Sequence, residues 1–367
     1  MNPAIAGRFP LMCRPRPLGL PLTERIAAMV ASAVDSPGAN HHDMVARASG
    51  VINIAALIAS DVGIRDLAWD MCWCHFNVFA GAEQLAPATA VMALQPLINI
   101  PRILIRDGNG QDAYDALSAM YQAAQRKGKA DVCGRTVDLS AIIRDEEGHR
   151  SVCEELWADM LNDGTRALAQ AGRWSQAAES VATHRGVGDR LWDGRQVTIL
   201  ALLDRGRVDE AVAMTEASHI GDSAERAVGA LLLTFCALEG SGDATGLAVA
   251  LGEAQALIEL NEPPTVYFRT QAALTALALA DTAGEASEPV VRLQEAVTTA
   301  ARTDTYAARS VLATQKRQNE VLRRTVDSGG LGHGHMPQDL MDQLTGSVVA
   351  AEARLKTLLA EPHDAGI

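Results

Sequence analysis

Apolar residues recur along most of this chain at the three- and four-residue spacing that turns one face of an α-helix toward a neighbour. Strand-like alternation is scarce. The apolar stretches break at glycines, and four of these are followed five residues later by alanine: Gly63/Ala68, Gly108/Ala113, Gly172/Ala177 and Gly206/Ala211. Each pair ends one helical stretch and opens the next, as in Asp204-Arg205-Gly206-Arg207-Val208-Asp209-Glu210-Ala211. Gly172 to Gly206 is 34 residues, and another 34 leads to Gly240, where Thr245 replaces the alanine. A fixed period of that size marks a helical repeat, in which each helix pair needs its neighbours to bury its apolar face.

The pattern predicts an all-α solenoid of helical hairpins. Thr23 is placed to cap a helix running to about Val34, ended by Ser36-Pro37-Gly38. Hairpins follow at 40–60 with 64–81, 88–106 with 110–127, 149–171 with 174–185, 190–205 with 207–218, and 222–239 with 243–260. Helices at 265–281 and 288–302 continue the stack after Pro263-Pro264, and Asp304 caps another reaching Val326. The domain so defined spans 23–326, with an irregular insertion at 128–148 that is long for a hairpin connection. A Gly-rich stretch, 327–336, reads as a flexible linker, and Pro337 opens a terminal helix to Leu359 that covers the stack's apolar end or enters its groove. Residues 1–22, with Arg8, Arg14, Arg16 and prolines at 10, 15, 17 and 21, read as disordered or draped over the body.

Composition supports helices held close together: hydrophobic residues make up 48% of the chain and aromatics only 4%, and small alanines let helices approach. The net charge of −13 repels phosphate backbones and anionic lipids, which argues against nucleic-acid and membrane partners. The most hydrophobic window, 88–105, is interrupted by Pro96, Pro101 and Arg102 and reads as too broken to span a bilayer. No apolar run near the N-terminus suits a signal peptide, and the six cysteines follow no framework spacing. The expected setting is cytoplasmic, with reduced thiols.

The 34-residue period, with a turn glycine and a close-contact alanine, resembles the tetratricopeptide repeat. Gly172-Arg173 and Gly206-Arg207 carry the resemblance, as do Asp66 and Asp209 two places before their alanines. It is best between about 150 and 240, since the upstream copies stand 45 and 64 residues apart. The family's leading aromatic is replaced by Ile52, Leu97, Leu161 and Arg195, and its closing proline is missing. The chain is also similar to a group of actinobacterial proteins with such repeats, in His41-His42-Asp43-Met44-Val45-Ala46-Arg47-Ala48 and Asp193-Gly194-Arg195-Gln196. The resemblance implies a right-handed superhelix whose first helices line a concave surface. With the turn glycine as anchor, the residue ten before it faces that groove: Asn53, Ile98, Asn162, Gln196 and Ala230. The residue six before it is Leu57, Arg102, Arg166 or Leu200, and Arg106 and Gln170 sit at the rim. Amides can hydrogen-bond a peptide backbone and arginines can clamp a carboxylate or phosphate. The expected ligand site is therefore Asn53, Arg102, Arg106, Asn162, Arg166 and Gln196. The plainer alternative is that these arginines pair with Asp159, Asp163 and Asp193.

Other strings carry weaker chemistry. Cys72-Trp73-Cys74-His75 has zinc-ligand types, but Cys72 and Cys74 point about 200° apart on a helix, and Cys72 and His75 fall on the packing side. His41-His42-Asp43 reads as a helix start, with Asn40 or Asp43 capping. His333 and His335 lie in the glycine-rich linker, where a metal would be held poorly. His149 and Cys153 could couple as imidazole and thiol, yet no orienting group or oxyanion hole is in sight. Gly186-Val187-Gly188 lacks a strand and a lysine, so it is not a phosphate loop. No catalytic residue, metal or cofactor is expected. The reading is a non-enzymatic scaffold binding a peptide or protein partner. The alternatives are an accessory subunit presenting a peptide to a modifying enzyme and a ligand-sensing regulator acting through a partner.

Overall fold

Gly63, Gly108, Gly172 and Gly206 all take the left-handed backbone conformation, with φ of 90°, 83°, 68° and 72°. A side chain there is strained, which is why glycine recurs at each turn. The paired alanines Ala68, Ala113, Ala177 and Ala211 are each 0% exposed, so the second residue of the motif is fixed by close packing. At the fifth copy the two jobs separate. Gly242, with φ of 74°, makes the turn. Gly240 instead ends a helix where an added Cβ would lie 2.9 Å from Val208 Cγ1.

The computed structural model describes residues 1–34, 38–82, 85–260, 262–314 and 319–361. It is all-α apart from one β-hairpin, and it divides into two compact units. Unit I comprises Met1–Pro21 with Leu168–Gly329, and unit II comprises Leu22–Ala167 with Gly330–Ile367. The division falls inside the stretch that the sequence pattern reads as one repeat domain.

In unit II the His41–Val62 helix packs against Arg65–Ala80, and Pro87–Arg106 against both Gly110–Gln125 and Glu146–Asp159. Asn40 caps the first of these, accepting from the Asp43 amide at 2.8 Å. The opening helix is Leu22–Ser32, so Thr23 lies inside its first turn and is not the cap. Pro96 and Pro101 do not break Pro87–Arg106; both are buried or flanked by buried neighbours that hold the helix together where its hydrogen bonds are missing. This helix and His41–Val62 are long and apolar enough to cross a membrane, but most of each window is covered by its own unit.

The 128–148 insertion is a β-hairpin of Lys129–Val132 and Arg135–Asp138, followed by a 3-10 turn. It plugs the core with Ala130, Val132, Val137 and Leu139. The glycine-rich linker is docked as well: Gly332 and Gly334 donate their amides to Asp61 and Val62 carbonyls at 2.8 and 2.7 Å. This leads the terminal helix, Gln338–Ala360, onto Leu22–Ser32, His41–Val62 and Arg65–Ala80. The helix covers the start of the fold, remote in sequence from the segment it follows.

Unit I holds Trp174–Thr183 and then four pairs: Asp193–Asp204 with Val208–Glu216, Ser223–Gly240 with Leu247–Ile258, Val266–Thr282 with Glu288–Ala300, and Thr305–Leu312 with Glu320–Gly329. The last pair stands where the pattern reads one helix to Val326; residues 315–318 between them lie outside the described residues. Arg269 ties two pairs together. It is 4% exposed, and its guanidinium donates to the carbonyls of Ile258, Leu260 and Glu262. Burial lowers its pKa from the usual guanidinium range, yet by donating to these carbonyls it places positive charge at the end of the Leu247–Ile258 helix.

Candidate functional site

Carboxylates and aromatic rings recur near the start of the first helix of each pair in unit I. Asp193 opens one, Glu225 stands in the next, Tyr267 in the third, and Asp304 and Tyr306 flank the start of the fourth. Residues 12–19 cross these helix starts in order. The Met12 amide and the Arg14 guanidinium both donate to Asp193, the latter at 2.9 Å. The Arg16 amide donates to the Pro264 carbonyl at 2.9 Å. The Arg16 guanidinium lies between two rings, 4.2 Å from the Tyr267 centroid and 4.0 Å from that of Tyr306. The Gly19 amide then donates to Asp304 Oδ2 at 2.6 Å, and the Gly19 carbonyl accepts from the Thr305 amide at 2.9 Å.

Residues 2–11 pass deeper along the same helices. The Asn2 amide donates to Glu239 Oε1 at 2.6 Å, and Thr275 Oγ1 donates to the Arg8 carbonyl at 3.3 Å. Phe9 stacks on Phe235 with centroids 6.5 Å apart, while Ile5 and Ala6 are each 2% exposed. The segment read as disordered or draped over the body is seated along this face. It alternates, with Arg14 and Arg16 half-buried and Pro15 and Pro17 exposed. Gly19 is needed for the fit: an added Cβ would stand 2.5 Å from Thr305 Oγ1 and 2.6 Å from Tyr306 Cδ2. Beside Met12 and Cys13 a cavity of about 240 Å³ opens among Leu191, Gln196, Val228 and Phe268.

The residues singled out from sequence lie elsewhere or are engaged. Asn53, Arg102, Arg106, Asn162 and Arg166 belong to unit II and Gln196 to unit I, so the six do not make one cluster within a unit. Asn53 accepts from Asn99 Nδ2 at 2.5 Å. Arg102 pairs with Asp163 at 2.7 Å and with Asp159 at 3.7 Å. Burial alone would lower its pKa, but Asp163, Asp159 and Glu155 outweigh that and raise it. Arg106 meets Asp61 at 3.6 Å and donates to Ser60 Oγ at 3.0 Å, while Arg25 reaches the other Asp61 oxygen at 2.5 Å. The expected anion clamp is thus occupied by the protein's own carboxylates.

Two positions depart from the register for a local reason. Asn162 lies in a π-helical turn, Met160–Gly164, ahead of the short Thr165–Gln170 helix carrying Arg166. A π turn inserts one residue, which rotates everything before it by about 100° relative to α spacing. Gln196 is 1% exposed and donates to the Leu191 carbonyl at 2.6 Å, so it closes a turn in the core and is not displayed on a surface.

The remaining motifs are structural. Cys72 and His75 are each 1% exposed. Burial pushes the Cys72 thiol up to about 12 and the His75 imidazole down to about 3. His75 Nε2 shares a hydrogen bond with Ser49 Oγ at 3.0 Å. His149 Nε2 is engaged by the Ala124 carbonyl at 3.0 Å, and burial, then Glu154, raises the Cys153 thiol, the opposite of activation. No group of three or more metal-ligating side chains occurs among the described residues. What sequence reasoning missed is the acidic and aromatic series Asp193, Glu225, Tyr267, Asp304 and Tyr306. Its visible signal was the arginine-rich start of an otherwise acidic chain.

Comparison with protein-family models, with curated proteins and with solved structures finds no match to this chain.

Proposed function

We propose that this protein is a non-enzymatic binding scaffold, holding an irregular peptide segment of a partner across the first helices of unit I. In this reading the pairs of unit I are tetratricopeptide-like hairpins stacked in a right-handed sense. The observation that carries it is the seating of residues 12–19 on one helix start after another, through carboxylates, rings and main-chain hydrogen bonds. A surface that holds one irregular segment through main-chain groups and a few anchors is suited to hold another. The anchors sit on rigid helices, so little ordering cost falls on the receptor side.

The test is capture. An Asp193→Asn/Tyr267→Ala variant should retain wild-type helical circular dichroism but lose at least tenfold in retention of proteins captured by the wild type from the native host. An unchanged set of captured proteins at unchanged yield would refute the assignment of the binding face.

A further inference from the structure

We propose that this face is a receptor for an arginine–proline segment of a partner protein, and that residues 8–20 occupy it as a competitor in cis. The inference rests on the peptide-binding reading above and adds the chemistry of the partner and the reason the face is covered.

Three observations define the ligand. First, two carboxylates of the face, Asp193 and Asp304, accept from the segment, while Glu225 farther along its path is paired with Arg190 of the face itself. Second, the Arg16 position is a slot between two tyrosine rings about 4 Å from the guanidinium carbon on each side. A flat guanidinium stacks in such a slot, whereas a compact, strongly hydrated ammonium does not. Third, exposed Pro15 and Pro17 alternate with the half-buried Arg14 and Arg16, so this part of the segment is read at alternate residues. Its hydrogen bonds at the amides of Met12, Arg16 and Gly19 come from main-chain atoms and are open to any chain of the same shape, while Phe9, stacked on Phe235, adds an apolar anchor.

Tethering explains why the intramolecular segment wins at rest. A linked segment acts at an effective concentration in the millimolar range, so a free peptide of equal intrinsic affinity competes poorly. The apparent affinity of a partner falls by the fraction of molecules with the face open. Weakening the cis segment should therefore strengthen binding in trans, and Gly19 is the place to do so without altering charge.

The experiment uses the full chain, wild type and Gly19→Ala, with a fluorescent synthetic peptide of residues 8–20 under reducing conditions. Arg16→Ala serves as a second opening variant. The expected result is peptide binding at least tenfold tighter to Gly19→Ala than to wild type. The same peptide with lysine at both Arg14 and Arg16 should bind at least fivefold more weakly than the arginine form. Equal binding of the arginine and lysine peptides would overturn guanidinium selection while leaving the peptide-binding face standing. If hydrogen exchange shows residues 8–20 released and no peptide binds, both readings fail. If neither variant releases the segment, the competitor claim fails alone. A wild-type dimer that exchanges residues 8–20 between copies, seen by light scattering, would assign the face to a second copy and overturn the partner claim.

Discussion

Both units oppose arginines to buried carboxylates, but the arginines have different anchors. In unit II, Arg25, Arg102 and Arg106 project from helices and meet Asp61, Asp159 and Asp163 on neighbouring helices of the same unit. In unit I, Arg14 and Arg16 arrive on a stretch, residues 9–21, that forms no helix or strand. Separating a helix-borne pair means unfolding part of a core. Separating a tethered pair means lifting a short segment away. The same charge pairing is thus a fixed brace in one unit and, in the proposal made above, an exchangeable contact in the other.

The largest effect should come from breaking the brace. Asp61 has a side chain only 4% exposed, and Asp61→Ala leaves two arginines facing an apolar replacement. Loss of one partner from a fully buried pair costs about 3–5 kcal/mol. With Arg25 13% and Arg106 35% exposed, the cost should fall at the lower end of that range, and urea unfolding of unit II should show it. Hydrogen exchange at residues 12–19 should not change. If exchange there accelerates as much as in unit II, the two regions are not independent and the contrast is wrong.

Next in size is Phe9→Ala. A core phenylalanine truncation costs about 3–5 kcal/mol, but here the loss is capped by release of the segment. The expected cost to global stability is about 2 kcal/mol, below that core range. A full core penalty in calorimetry would mean that the segment is an integral part of the core and not a removable one.

The repeat motif offers a smaller effect. Nothing lies within 4 Å of a Cβ added at Gly206, so Gly206→Ala isolates backbone strain and should cost about 1–2 kcal/mol. A loss near zero in denaturant melts would contradict the left-handed turn.

The smallest effect near neutrality concerns pH. The His75 pKa is lowered to about 3, so between that value and about 6.5 the unfolded chain binds a proton that the folded chain does not. Stability contributed by neutral His75 is intact above about pH 6.5 and falls progressively as pH drops toward 3. A His75→Phe variant should flatten that dependence in unit II, and an unchanged acid profile would count against burial as its cause.

The turn glycines and their alanines were readable because each answers to a local demand, left-handed backbone at Gly206 and zero side-chain room at Ala211. Helix ends followed from the same signals, and Asp304 was legible as a cap, which it is, accepting from the Ala307 amide at 2.8 Å. Its second role was not legible, because Gly19 lies 285 residues away. The same holds for Arg14 with Asp193 and for Arg106 with Asp61: pairing is set by the packing of distant elements, not by spacing. Composition misled at the N-terminus, where prolines and arginines suggest disorder while Ile5, Phe9 and Leu11 supply the apolar anchors. The glycine register also failed where a π turn interrupts the helix before Gly172.

The most direct test is amide hydrogen exchange of the intact wild-type protein at Met12, Arg16 and Gly19, repeated with Asp193→Asn. The seated segment predicts slowed exchange at all three amides in the wild type, with acceleration of at least tenfold in the variant and unchanged protection in the helices of unit II. Exchange at unprotected rates in the wild type would contradict the account.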